Sequence, residues 1–259
     1  MRLPSAVWLL LILAMTSPAW SLPAWAGEDV DCDLPSDLLV PSAPMPHVAK
    51  ALARGQISIL AVGSGSTVGD TGGANGPEMA YRAPGASFPF RMADALRMMR
   101  PGLDVRLTVK GGRSMTADDM LPILRNELKH GHFNVVLWQT GTVEAVHGVR
   151  PDSLRDDLLD GAAMADAAEA DLVLVDAQFS RFLRANADLS PYEAVLRQVS
   201  GMNGVALFPR FDLTQGWVNS GQIDLERVSR EARDHTVMLL NTCLGRALAQ
   251  FLIAGAQQH

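Results

Sequence analysis

The chain has 259 residues, of which 48% are hydrophobic, and a formal net charge of −6 at pH 7. This length and apolar content suit one domain with a core large enough to fold without a structural metal. Because Lys and Arg form no stripe or cluster in the sequence, neither nucleic acid nor an anionic membrane surface is an expected partner.

Residues 1–26 have the parts of a secretory signal peptide. Arg2 gives a positive start, "VWLLLILAM" an apolar core, and Ala24 and Ala26 small residues before a cleavage site. The alternative is a membrane anchor, but the apolar run is shorter than the roughly 18–20 residues that a span needs. We therefore expect cleavage after Ala26 and a periplasmic or secreted protein that keeps no membrane span.

The two cysteines, Cys32 and Cys243, stand near opposite ends of the expected mature chain. In an oxidising compartment they can form a disulfide that closes a loop of about 210 residues. The alternative is a pair of separate buried thiols. No CxxC motif or His/Cys cluster suggests a metal site.

After an N-terminal arm at 27–56, which includes a short helical stretch "MPHVAKALARG", apolar runs alternate with helical periodicity over 57–259. The apolar runs predict five strands, at 57–62, 103–110, 134–140, 171–176 and 204–209. The periodic segments predict helices at 88–99, 117–131, 151–170 and 190–202, and one long closing helix, or two in series, over 224–255. This alternation predicts an α/β domain of right-handed βαβ units, with a parallel sheet covered by helices on both faces.

The loop after the first strand, "GSGSTVGDTGG", invites comparison with nucleotide-binding loops. A phosphate-binding Walker loop requires a Lys, but Asp70 stands near that position. A dinucleotide fingerprint fits Gly63 and Gly65, but its third glycine position is Val68. We therefore expect no nucleotide cofactor.

Several stretches, in this order and spacing, resemble the SGNH/GDSL hydrolases, in particular an extracytoplasmic bacterial subgroup with a G-S-S-S-T nucleophile loop. They are "ILAVGSGST", "SFPFRMADALR", "VKGG", "VVLWQTGT", "LVLVDAQFS", "VALFPRFDLTQGW" and "CLGRALA". The resemblance implies a three-layer α/β/α sandwich of flavodoxin-like topology and a serine esterase. Its Ser would be activated by a His and an Asp near the C-terminus, with a Gly N–H and an Asn side chain as oxyanion donors.

The nucleophile position of this family falls on Gly65, which has no hydroxyl group. Ser64 and Ser66 flank it, one residue away on each side. Loss of a triad serine costs on the order of a millionfold in rate. The resemblance therefore implies that the usual mechanism is lost, unless one of the two neighbouring serines replaces the nucleophile.

Two of the four other family positions keep the expected residue. The oxyanion glycine maps onto Gly111 and the histidine onto His235. The oxyanion asparagine is replaced by Val143, and the acid three residues before the histidine by Ala232.

Other polar side chains are expected on the same edge of the sheet, because the loops after parallel strands share that edge. A long glycine-rich loop between Gly69 and Ser87 is typical of a binding loop, with a flexible insertion as the alternative. His147 is a candidate replacement base, and capping roles are the alternative for the acidic and amide residues. The candidate ligand-binding residues are Asp70, Tyr81, Arg82, His147, Asp176 and Gln178.

Two functions fit these observations. The first is a pseudoenzyme that binds an acylated or acetylated envelope glycan, a small ester or an envelope protein at the former active site. The second is an active esterase in which Ser66 or Ser64 works with His235.

Overall fold

The computed structural model describes residues 32–69, 87–202 and 204–258. The predicted signal peptide and the candidate residues Asp70, Tyr81 and Arg82 lie outside the described residues.

A five-stranded parallel sheet with the strand order β2-β1-β3-β4-β5 forms the centre of the domain. Its strands are β1 Gln56–Gly63, β2 Asp104–Gly111, β3 Val135–Gln139, β4 Asp171–Val175 and β5 Ala206–Phe208. β3 and β4 are buried along their whole length, because both faces of the sheet are covered. The structure confirms the predicted parallel sheet and its flavodoxin-like topology.

Helices cover both faces of the sheet. They are α1 Pro46–Ala53, α2 Gly65–Val68, α3 Phe88–Met99, α4 Ala117–His130, α5 Thr142–His147, α6 Pro151–Ala167, α7 Arg181–Asn186, α8 Ser190–Ser200, α9 Arg210–Ser220 and α10 Arg233–Ala256. α4, α6 and α8 pack against one another around a core that includes Trp138. α3 and α1 pack against α10 and contact the sheet. The predicted three-layer α/β/α sandwich is confirmed.

The predicted closing helix begins later than its sequence pattern indicates. Residues 224–232 form turns, and α10 begins at Arg233. The acidic side chains of this stretch make tertiary contacts that a continuous helix would disrupt. The Asp224 carboxylate lies 2.8 Å from Nη1 of Arg181, and the Glu226 carboxylate accepts the Phe182 N–H at 3.1 Å. These contacts hold the turns against the start of α7.

α10 is apolar because much of it is buried in the core of the domain. Among the described helices it alone is long and apolar enough to cross a membrane, with a mean hydropathy of 1.5. However, 61% of that apolar window is buried inside the protein. Its length and composition are therefore those of a core helix.

The described part of the N-terminal arm packs onto the rest of the domain. Cys32 forms a disulfide with Cys243 in the middle of α10, with 5.5 Å between their Cα atoms. The Trp217 indole N–H donates to the Asp33 carbonyl at 2.7 Å, and the Val48 N–H to the Asp171 carboxylate at 2.8 Å. The disulfide and these two hydrogen bonds join the described part of the arm to the rest of the domain.

We predict that the Cys32→Ala/Cys243→Ala variant has a free energy of unfolding lower by about 2–5 kcal/mol, because the bridge closes a very long loop in the unfolded chain. Urea unfolding measures this difference, with the reduced wild type as the matched control. Equal midpoints for the oxidised wild type and the variant would contradict the prediction.

Candidate active site

The carboxyl ends of β1 and β2 meet at two glycines. Gly63 lies opposite Gly111 in the register of the sheet, and the Gly112 N–H donates to the Gly63 carbonyl at 3.3 Å. Gly111 has a φ of +124°, and a Cβ there would clash with the Gly63 carbonyl oxygen. Only glycine fits this backbone position, because it has no Cβ and adopts positive φ readily.

A pocket of about 380 Å³ opens at this edge of the sheet, beside the loop that follows β1. It brings together residues from five segments of the chain. Its walls are formed by Ser64, Gly65, Ser66, Arg113, Ser114, Gln139, Thr142, Val143, Val146, His147, Gln178, Ser180, Leu183 and Arg210.

Three hydroxyl groups of the loop converge on the side-chain oxygen of Gln139. Oε1 of Gln139 accepts from Oγ1 of Thr67 at 2.6 Å and from Oγ of Ser66 at 3.0 Å. Ser64 lies 3.4 Å from Oε1, and the Gln139 Nε2–H donates back to Oγ of Ser64 at 3.2 Å. Gln139 is the last residue of β3 and is buried, so its amide holds the loop after β1 against the end of β3.

Gln139 was not predicted from the sequence to belong to the site. The available signal was a single polar residue at the end of the otherwise apolar run "VVLWQ". A buried amide requires hydrogen-bond partners, and the hydroxyl-rich loop after β1 is the neighbouring loop at that edge.

The structure places Gly65, the predicted nucleophile position of the family, in the pocket wall as the first residue of α2. Both neighbouring serines hydrogen-bond with the side chain of Gln139. Ser66 donates its proton to the neutral oxygen of Gln139, and a neutral amide does not act as a general base at ordinary pH.

The two histidine candidates occupy different places. His147 ends α5, is exposed and lines the pocket beside Ser66. His235 is exposed in the first turn of α10 and does not line this pocket. Ala232, at the position of the family's acid, is the exposed N-cap of α10.

Val143, predicted to stand where the family has an asparagine, lines the pocket in the first turn of α5. Gly111 does not line it. Neither Gly111 nor His235, the two residues predicted to keep their family identity, lines the pocket beside Ser66. An oxyanion role for Gly111 therefore stays a prediction.

A buried carboxylate that the sequence analysis missed holds the segment of Val143 in place. Glu144 accepts the Ala117 N–H at 2.6 Å and the Gly141 N–H at 2.7 Å. Burial raises the pKa of Glu144, and these backbone donors oppose the increase. The start of α4 and the start of α5 are thereby tied together.

The two candidates after β4 have different surroundings. Asp176 is buried outside the pocket wall and accepts the Phe211 N–H at 2.7 Å. Burial raises its pKa to about 8. Gln178 lines the pocket and accepts from Nη2 of Arg210 at 2.6 Å.

Arg210, also missed from the sequence, is a buried cation in the pocket wall. The residue is 3% exposed, and its guanidinium lies 5.3 Å from the centre of the Phe88 ring. In the described parts of the chain, no three His, Cys, Asp or Glu residues are placed to hold a metal ion.

Comparison with known proteins identifies the class to which this fold and site belong. The sequence matches the model of the non-GDSL lipase-like family over residues 31–258. The chain therefore belongs to the non-GDSL lipase-like family, and its resemblance to the SGNH/GDSL hydrolases is confirmed. No curated protein matches the sequence.

Solved structures of esterases share the fold at low sequence identity. A catalytic mutant of Axe2, an acetylxylan esterase from Geobacillus stearothermophilus, is 14% identical with a TM-score of 0.58, covering 76% of this chain and 94% of that one. A putative lipolytic G-D-S-L protein from Desulfitobacterium hafniense is 12% identical with a TM-score of 0.52, covering 74% and 99%. A two-domain esterase active on acetylated mannans is 10% identical with a TM-score of 0.59, covering 85% and 56%.

We predict that Gln139→Leu lowers the free energy of unfolding by about 2–4 kcal/mol, because buried hydroxyl groups lose their shared acceptor. Urea unfolding measures the loss, and Gln198→Leu at an exposed position of α8 is the matched control. A loss no larger than that of the control would contradict the role assigned to Gln139.

A second prediction concerns Asp176. Its pKa is raised from 3.8 to about 8 in the folded protein, so the unfolded chain binds fewer protons between these values. The stabilisation that the protonated Asp176 contributes to the folded state is therefore complete below about pH 4. As the pH rises towards 8 it is lost, and the free energy of unfolding falls by at most about 1.4 kcal/mol per pH unit.

Asp176→Asn keeps an acceptor for the Phe211 N–H and removes this titration. We expect the free energy of unfolding of the variant to fall less than that of the wild type between pH 5 and pH 8. Urea unfolding at four pH values measures both curves, and parallel curves would contradict the raised pKa.

Proposed function

We propose that this protein binds an acylated or acetylated envelope glycan, or a smaller ester, in the pocket beside Ser66 and does not hydrolyse it by a serine–histidine–aspartate triad. One observation carries the proposal. The family's nucleophile position is Gly65, and the adjacent hydroxyls hydrogen-bond with the neutral amide of Gln139 instead of a base.

Polar and apolar groups in the pocket suit the two parts of such a ligand. Gln178 and Arg210 offer hydrogen-bonding groups for sugar hydroxyls or an ester carbonyl. Val143, Val146 and Leu183 offer apolar contacts for an acyl group or an acetyl methyl. Specific ligand sites commonly combine these two kinds of contact.

The substrates named for the similar structures suggest the class of ligand. Axe2 is an acetylxylan esterase, and the two-domain enzyme is active on acetylated mannans. We carry over from them only the kind of ligand, an acetylated polysaccharide. The alternative ligand is an envelope protein that covers the same edge of the sheet.

We also propose that the protein works outside the cytoplasm. The signal-like segment 1–26 supports this location, and so does the disulfide between Cys32 and Cys243, since disulfides persist in oxidising compartments. Detection of a mature N-terminus at Gly27 in secreted or periplasmic material tests the location, and a retained Met1 would contradict it.

A second candidate function is a slow esterase with Ser66 as the nucleophile. The observation that favours it is the presence of Ser66 and His147 in one pocket wall. His147 is therefore a better candidate for the base than His235, which lies outside that wall.

We predict no hydrolysis of p-nitrophenyl acetate above the blank and no labelling by a serine-directed phosphonate, because the described side-chain hydrogen bonds of Ser64 and Ser66 are with Gln139 and not with a base. The same preparation should bind an acetylated xylo-oligosaccharide more tightly than its deacetylated form, as measured by calorimetry. Equal or absent binding of the two sugars would contradict the ligand class.

Turnover that Ser66→Ala abolishes would contradict the proposal and support the slow esterase. Ser153→Ala, at an exposed site on α6, is the matched control for this test. His147→Ala and His235→Ala, each made in the wild-type background, then identify the base, because only loss of the true base abolishes the turnover.

A further inference from the structure

The proton of the Ser66 hydroxyl group is already used within the protein. Oγ of Ser66 donates it at 3.0 Å to Oε1 of Gln139, an amide oxygen that can only accept. A serine hydroxyl has one proton and two acceptor lone pairs, so the remaining capacity of this group is that of an acceptor. Ser66 is half-buried and lines the pocket. Its Oγ therefore meets a ligand as a hydrogen-bond acceptor.

The surroundings of Gln139 keep this proton in place. The amide is buried, its Oε1 also accepts from Oγ1 of Thr67 at 2.6 Å, and its Nε2–H donates to Oγ of Ser64 at 3.2 Å. Because both ends of the amide are engaged, Oε1 stays directed towards Ser66. A ligand that needs the proton of Ser66 must break the bond to Gln139, whereas a ligand that offers a proton adds a bond without breaking one.

The two ways of attaching an acetyl group to a sugar differ in this property. An ester offers its carbonyl and bridging oxygens, which are both acceptors, whereas an amide has an N–H donor in place of the bridging oxygen. Both linkages carry the same methyl group, for which Val143 and Val146 offer apolar contacts in the pocket wall. Val146 is 57% exposed, so a ligand can reach it. The atom that links the acetyl group to the sugar therefore distinguishes the two ligands at Ser66.

We infer that the pocket selects acetyl groups carried on nitrogen, and that it binds an acetamido sugar in preference to the matching O-acetyl sugar. The amide N–H of the ligand donates to Oγ of Ser66. This inference rests on the proposed function in one respect, that the ligand is an acetylated carbohydrate. Because one hydrogen bond separates the two ligands, the expected preference is about three- to tenfold in affinity.

Three methyl glucosides that differ only at C2 test the inference. One carries an acetamido group, one an O-acetyl group and one the free hydroxyl group, and all three are uncharged. Each is titrated into the full mature protein and followed by NMR chemical shifts. We expect the acetamido sugar to bind about three- to tenfold more tightly than the O-acetyl sugar. Equal affinities, the reverse order or no detectable binding of any of the three would overturn the inference.

A fourth glucoside isolates the N–H group. An N-methylacetamido group at C2 keeps the carbonyl and the acetyl methyl of the acetamido sugar but has no N–H to donate. We expect this sugar to bind no more tightly than the O-acetyl sugar. If it binds as tightly as the acetamido sugar, the N–H contributes nothing and the inference is wrong.

Variants place the selection at Ser66. Ser66→Ala removes the acceptor, so we expect it to weaken binding of the acetamido sugar about three- to tenfold and to leave the O-acetyl sugar within about twofold. Ser153→Ala, at an exposed site on α6, is the matched control and should keep the preference. Urea unfolding checks that both variants fold. A preference that persists in folded Ser66→Ala would overturn the inference, and the four sugars test it in the wild type whether or not this variant folds.

The two proposals fail separately. Acetamido and O-acetyl sugars that bind equally, and both more tightly than the hydroxyl sugar, would overturn the selection for nitrogen and leave the proposed function intact. A preference for the acetamido sugar with no gain from the O-acetyl group would support the selection and contradict the ester part of the proposed function.

Discussion

One amide group organises the edge of the sheet at which the site lies. Oε1 of Gln139 stands at the end of a fully buried strand and gathers the hydroxyls of Ser64, Ser66 and Thr67 around it. The turn after β1 therefore depends on an acceptor provided by β3. These two strands are neighbours in the sheet. Because the amide is buried, its hydrogen bonds form in a low-dielectric environment, where they are strong and where an unpaired group would be costly.

The same interaction bears on chemistry. A serine that serves as a nucleophile must have its proton directed at a base, whereas the hydroxyls of Ser64 and Ser66 are directed at the amide oxygen of Gln139. The loop is held by bonds that require the hydroxyls to be donors, and this requirement competes with catalysis. The same edge carries a pocket whose wall includes the buried side chain of Arg210.

The sequence predicted the layers well and the site only in part. Strand positions followed from continuous apolar runs, because a strand buried on both faces admits few polar side chains. The start of α10 was missed because the side chains of Asp224 and Glu226 contact α7, and no local pattern reports a contact across some 40 residues. Gln139, Glu144 and Arg210 were missed for a related reason, since each is a polar residue whose partners come from other elements. The assignment of Gly65 and Val143 to the family's nucleophile and asparagine positions follows from the family resemblance and stays a prediction.

The contact between Gly63 and Gly111 has a consequence for how relatives of this protein are interpreted. Any side chain at Gly111 would collide with the neighbouring backbone, so the architecture itself demands glycine there. The residue would persist in a descendant that had abandoned hydrolysis long ago. Its presence in a sequence is thus a marker of an intact scaffold, and inactive members of the lineage are better sought at positions that the backbone leaves free to vary.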